Sequence, residues 1–182
     1  MKKISLLIVV VTILLTACTK DPAVNAKKDT NTLSYSNSYK AWINYKQSIH
    51  NSYSYTAITS SFTGYGTTIK IGVKNGVIIS RDFTSYQYQQ NNKTIIKQWH
   101  EDATTLNSHG EESGELMTMD DIYAKAKNVW LKVDPKANDI YFETKNNGII
   151  SSCGYYPLGC QDDCFTGINI DSVTALDRKS VV

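Results

Sequence analysis

The groups with the most chemical reach in this chain are thiols and imidazoles. Cys153, Cys160 and Cys164 fall within one short segment. Thiols so placed can oxidise to a bridge, ligate a soft metal or, as a thiolate, attack a carbonyl. A structural zinc site takes four Cys or His ligands, commonly as paired short-spaced motifs. Here the third thiol has no such fourth partner nearby, since no His lies closer in sequence than His109. A thiolate nucleophile would need a base, His100 or His109, brought within hydrogen-bond reach. His100-Glu101-Asp102 with His109, Glu111 and Glu112 gathers imidazoles and carboxylates. Their spacing is not the His-Glu-x-x-His that sets two imidazoles on one helical face, so the segment from Glu101 to Glu115 reads as a solvated acidic loop. Asp162 and Asp163, flanked by Gly159 and Gly167, could offer oxygens to calcium, although the Asp-x-Asp-x-Asp-Gly ladder is absent. No Gly-rich phosphate loop and no Gly-x-Ser-x-Gly elbow occurs, so no catalytic residue is assigned and no cofactor is called for.

The elements that must carry these groups follow from periodicity. Tyr39, Trp42, Ile43 and Ile49 recur at helical spacing, with Asn37 or Ser38 available as a cap, and predict a first amphipathic helix over 38–50. From Ser52 the period becomes two. Tyr53, Tyr55 and Ala57, then Ile69, Ile71 and Val73, alternate with polar residues and predict two strands. Asn75-Gly76 tolerates the positive φ of a type I′ hairpin turn. A strict two-residue loop would pair Val73 with Ile78 and leave Val77 and Ile79 on the opposite face, so either that face is covered or a bulge shifts the register. A third strand runs through Phe83, Tyr86 and Tyr88, turns at Asn91-Asn92, and returns through Ile95, Ile96 and Trp99. Thr118 with Asp121 has the form of a capping box, and Met117 can staple onto Ile122, so a second helix starts there and ends at Asp134-Pro135. Asp120-Asp121 then sits at the positive end of its dipole. Ile140 and Phe142 mark a fifth strand, Asn147-Gly148 a turn, and Ile168, Ile170 and Val173 a last strand. The fold class is therefore α+β, an antiparallel sheet of about six strands with two amphipathic helices packed on one face. Tyr86, Tyr88 and Trp99 on adjacent strands raise a glycan-binding face as one use of a chain with 12 Tyr and 3 Trp, although aromatics at period two more often pack across strands.

The first residues supply an address. Lys2 and Lys3, an apolar run from Ile4 to Leu15 and the small residues Thr16 and Ala17 form the three parts of a secretory signal peptide over 1–17. The apolar run is about a dozen residues, short of the roughly twenty that cross a bilayer. Leu15-Thr16-Ala17-Cys18 resembles the bacterial lipobox at every position. That resemblance implies cleavage before Cys18, acylation of its thiol and of the new amine, and a durable membrane anchor, since each buried methylene contributes about 0.8 kcal/mol and one chain alone holds only marginally. Residues 18–35 would be the lipidated N-terminus and a flexible polar tether, 36–176 a single domain and 177–182 a polar tail. Position 19 is Thr rather than an Asp resembling an inner-membrane retention signal, and Lys20-Asp21 partly resembles the surface-export signal of Bacteroidetes lipoproteins, so the outer membrane is the expected location. The 19 Lys and Arg fall to 17 once Lys2 and Lys3 leave (19 − 2), against 17 Asp and Glu. A neutral body with scattered charge has no electrostatic footprint for nucleic acid.

In an exported chain the three clustered thiols favour a disulfide. The sequence allows 153 with 160, 153 with 164, or 160 with 164, and we favour a pair that includes Cys164. So short a loop contributes on the order of 2 to 3 kcal/mol through chain entropy, so the bridge serves to pin a loop. Trp42, Tyr53-Ser54-Tyr55, Val73-Lys74-Asn75-Gly76-Val77, Thr118-Met119-Asp120-Asp121-Ile122-Tyr123, Gly154-Tyr155-Tyr156-Pro157 and Ile168-Asn169-Ile170-Asp171 are similar to motifs of a family of secreted bacterial proteins with a domain of unknown function. The resemblance spans most of 40–175 and implies an exported α+β domain without a known activity. The reading is a non-enzymatic lipoprotein that binds an unidentified protein or small ligand, with the loop from Cys153 to Cys164 as the contact. The alternatives are a hydrolase using His100 or His109 with a carboxylate or thiol, and the glycan-binding face.

Overall fold

The computed structural model describes residues 22–90, 92–110 and 114–176. Residues 1–17, read above as a signal peptide, the expected lipidation site Cys18, residues 19–21, Asn91, Glu111, Glu112, Ser113 and the tail from 177 lie outside the described residues. The chain folds as helix α1 (Pro22–Ser48), strands β1 (Tyr53–Ser60), β2 (Tyr65–Lys74), β3 (Val77–Gln89) and β4 (Asn92–Asp102), helix α2 (Met119–Asn128) with a 3₁₀ turn over Trp130–Lys132, and strands β5 (Asn138–Glu143), β6 (Ser152–Pro157) and β7 (Thr166–Ala175). All seven strands form one antiparallel sheet in the order β4-β3-β2-β1-β7-β6-β5. This is an α+β architecture with seven strands rather than about six. The additional strand is β6, Cys153-Gly154-Tyr155-Tyr156-Pro157 and its preceding serine. Its glycine and paired tyrosines obscure a period of two, which left Cys153 read as part of a loop.

Alternation places Tyr53 and Tyr55 of β1, Ile71 and Val73 of β2, Cys153 of β6 and Ile168 and Ile170 of β7 in one core. Trp42 of α1, and Met119, Ile122, Tyr123 and Ala126 of α2, belong to the same cluster. The polar tips of the core tyrosines are all answered, as buried hydroxyls require. Tyr55 Oη donates to Met117 O (2.6 Å), Tyr53 Oη accepts from Met119 N (2.9 Å), and Tyr123 Oη donates to Ser38 O (3.0 Å) and accepts from Ile150 N (3.2 Å). Burial pushes Tyr123 up to about 12, and Tyr53 and Tyr55 further in the same direction.

Two helix boundaries differ from expectation: the start of α1, and the end of α2, which stops at Asn128 before a 3₁₀ turn instead of running to Asp134-Pro135. Helix α1 starts at Pro22, so 22–35, read as part of a flexible tether, is helical, and neither Asn37 nor Ser38 is its cap. Pro suits a first helical position because its missing N–H would have no partner there, and Ala23, Ala26, Lys27 and Lys28 are good helix formers. The segment carries no apolar stripe, so periodicity had nothing to detect. Ser38 is buried beneath Tyr123 instead (2.7 Å between hydroxyls). At the β2-β3 hairpin it is the bulge that holds, and Val77 stays exposed. Asn75 and Gly76 take φ of 50° and 82°, Val73 pairs with Ile78, and a register shift pairs Gly72 with Ser80, leaving Ile79 as the extra residue. The bulge sets Arg81 opposite Ile71, on the core side.

The start of α2 is as the sequence requires. Thr118 caps through its side chain, and the Asp121 carboxylate accepts from Thr118 N (2.9 Å). Asp120 also ties the two helices together. Its carboxylate accepts from Trp42 Nε1 (2.9 Å) and Lys46 Nζ (2.6 Å), linking α1 to the first turn of α2.

A cleft where the sheet divides is the candidate functional site

The seam between β1 and β7 is incomplete. Their pairing ends at Ile58 with Asn169, yet β1 continues to Ser60 against β2, and β7 begins at Thr166 against β6. Beyond the seam the two halves of the sheet part. A cleft of about 470 Å³ is lined by Ile58, Thr59 and Ser60 of β1 and Gly167, Ile168 and Asn169 of β7. Ala57, Ile69, Ile71 and Met117 add apolar surface, and Glu115, Asp162 and Asp163 bring three carboxylates. The volume lies in the range of small-ligand sites, which pair apolar walls with a few polar groups.

Its outer wall is the loop from Leu158 to Phe165. Cys160 and Cys164 are paired at disulfide distance with their Cα atoms 6.4 Å apart, and Cys164 N donates to Asp162 O (2.7 Å). The pairing therefore includes Cys164, and it pins the loop that carries Asp162 and Asp163. Glycines let the loop's aromatic residue lie against the sheet: a Cβ at Gly154 would meet the Phe165 ring at 2.6 Å, and one at Gly167 would meet the Cys153 carbonyl oxygen at 2.2 Å. Cys153 itself is the correction. It is a core residue of β6, fully buried, and unpaired, not a member of the exposed loop. Burial pushes its thiol up to about 12, so it is held as the unreactive neutral form. Iodoacetamide at neutral pH should label Cys153 only after denaturation; labelling of the native protein at the rate of a free thiol would contradict this placement.

The calcium candidates Asp162 and Asp163 are exposed on this loop, and no group of three or more His, Cys, Asp or Glu able to hold a metal ion occurs among the described residues.

A second locus lies at the far side of the sheet, where Glu101 corrects the reading of a solvated loop. Strand β4 runs on to Asp102, and Glu101 is fully buried opposite Arg81 of β3, itself fully buried. Arg81 Nε donates to Glu101 Oε2 (2.9 Å), and Nη2 lies 2.7 Å from the same oxygen. The returning loop completes the carboxylate's shell: Asn107 N (3.1 Å), His109 N (2.9 Å) and Ser108 Oγ (3.3 Å) donate to it, and His109 Nδ1 stands at 3.1 Å. Desolvation pushes the Glu101 carboxyl up, but the His109 backbone and ring, Arg81 and the Asn107 backbone outweigh it and hold it down at about 2. The His109 ring stacks on Trp99 at 4.1 Å between centroids, and Trp99 stacks on Phe83.

Of the imidazoles considered for hydrolysis, His109 meets Glu101 and His100 meets Asp82 (2.6 Å) on the exposed face. Ser108 Oγ lies 3.2 Å from His109, but at Nδ1, the nitrogen that also faces Glu101. A relay needs nucleophile and acid on different ring nitrogens. Cys153, on β6, is well removed from β4 in the sheet order. The glycan strip is divided by the pleat. Tyr86 and Tyr88 alternate with buried Phe83 and Ser85 onto the opposite face, whereas Trp99 pairs with Phe83. Sequence reading missed Arg81 and Glu101 as partners: counting back from Gln89 opposite Asn92 would set Arg81 against His100, and a one-residue shift at Ser85-Tyr86 brings Glu101 into that place instead.

Neither a family model, nor a curated protein, nor a solved structure matches this chain.

Proposed function

We propose that this chain is an envelope lipoprotein, acylated at Cys18 and held at the outer membrane, whose domain is a non-enzymatic binding module that takes its ligand in the cleft between β1 and β7. The single observation that carries the binding role is the parting of two strands within one sheet, over apolar surface edged by carboxylates. Both helices pack on one face in this reading, and the loop from Leu158 to Phe165, rather than the whole stretch from Cys153, is the contact. The motif resemblance to secreted proteins of unknown function agrees with export. Neutral charge on the mature chain disfavours nucleic acid as the partner.

Two measurements test it. Intact mass of the membrane-extracted protein should show a chain beginning at acylated Cys18, and Cys18→Ser should release the protein from membranes; an unprocessed, unacylated chain defeats the anchor. The apolar dye ANS should bind saturably to the native protein, and Ala57→Trp, which fills the cleft, should abolish that binding with far-UV circular dichroism unchanged. Dye binding insensitive to Ala57→Trp rejects the cleft.

A second reading, hydrolysis, draws on His109 beside buried Glu101. It requires saturable turnover of an ester substrate that is lost in His109→Ala; a rate equal to that of the buffer ends it.

A further inference from the structure

Resting on the binding role of the cleft, we infer that its occupant is an extended segment of a basic polypeptide, added as a short strand along the parted edges of β1 and β7. Two independent features point there. The first is backbone geometry. β1 extends two residues, Thr59 and Ser60, past its last pair with β7, and β7 extends three, Thr166, Gly167 and Ile168, past its last pair with β1. Successive residues of a strand present their N–H and C=O groups to alternate sides, so each protruding end offers main-chain groups toward the gap. Three residues of strand advance about 10 Å at roughly 3.3 Å each, long enough to register an extended peptide, and strand addition to a free edge is a general mode of peptide recognition.

The second feature is charge. The lining residues include Glu115, Asp162 and Asp163 and neither Lys nor Arg. Glu115 is engaged by Lys125, which leaves the two loop aspartates facing the opening. On a mature chain of zero formal charge, this is a local negative rim around an apolar floor. A peptide alternating cationic and apolar side chains would set its apolar residues toward Ala57, Ile69 and Met117 and its cations toward Asp162 and Asp163, because neighbouring residues of a strand point to opposite faces. The Cys160–Cys164 pair holds that acidic wall in place before binding, which lowers the ordering cost.

The test uses the full purified protein in detergent and a fluorescein-labelled peptide, Lys-Val-Lys-Val-Lys-Val, read by anisotropy. Saturable binding is expected. Replacing alternate peptide amides by N-methyl amides should weaken it about tenfold or more, since each lost main-chain bond costs about 1 kcal/mol. Asp162→Asn with Asp163→Asn, both exposed and therefore compatible with folding, should weaken it about fivefold to tenfold. A Glu-Val peptide of the same length should not bind. Equal affinity for the N-methylated peptide overturns strand addition. Absence of saturable Lys-Val binding, with ANS still entering the cleft, overturns the peptide inference while leaving the binding module intact; loss of both defeats the module itself. A dimer by light scattering that Ala57→Trp abolishes would assign the cleft to a second copy of this chain and overturn the inference.

Discussion

Arg81→Ala is expected to destabilise the domain by about 3 to 5 kcal/mol, because it leaves Glu101 ionised, fully buried and without its cation. Glu101→Gln should cost a similar amount by stranding the guanidinium. The paired replacement Arg81→Met with Glu101→Leu should recover most of the loss, as apolar substitutes for a buried pair often do. Urea unfolding followed by circular dichroism reads all three, and a single-site loss under about 1 kcal/mol would show that the pair is solvated. The pH dependence has a definite sign. The carboxyl titrates at about 2 in the fold against an ordinary 4.5. A depressed folded value means that the contribution is complete above about 4.5 and is lost as pH falls through about 2. The native protein should therefore lose stability across that acid window, and Glu101→Gln should lack that component. Stability flat from neutral pH down through the window would contradict the assigned shell of donors.

Trp42→Ala is the second large effect, about 3 to 5 kcal/mol for deleting a fully buried indole. The ring meets Tyr53 edge-on at 4.9 Å and stacks over Tyr123 at 6.4 Å, while its Nε1 donates to Asp120 at 2.9 Å. It thus joins α1, α2 and β1 at one point. Trp42→Phe separates packing from polarity: most of the aromatic area survives, but Asp120 loses a donor and keeps Lys46. We expect about 1 to 2 kcal/mol for that change. A Phe variant as unstable as the Ala variant would place the indole's worth in its hydrogen bond instead of its burial.

Local rules read much of this chain correctly. The α2 capping box was legible because Thr118 and Asp121 satisfy each other within four residues, and the Asn75-Gly76 turn because few residues accept its backbone angles. Strands β1, β2, β5 and β7 were legible because apolar residues recur at every second position along them. By contrast, β6 was obscured where Gly154 serves the close approach of Phe165, a demand made by the loop that packs on it. The start of α1 was obscured because a polar helix carries no stripe.

What residue order could determine alone was therefore the short-range part: the turns at 75–76 and 147–148, the α2 cap, and the α+β class with most of its strands. Only the tertiary structure decided the partners. It set Arg81 opposite Glu101 through a one-residue bulge, sent Trp99 and Tyr86 to opposite faces, and buried Cys153 while pairing Cys160 with Cys164. The physical reason is common to all of these. A single-residue shift of register exchanges the two faces of a strand, so the environment of a charge or thiol depends on pairings many residues away that composition and spacing do not encode.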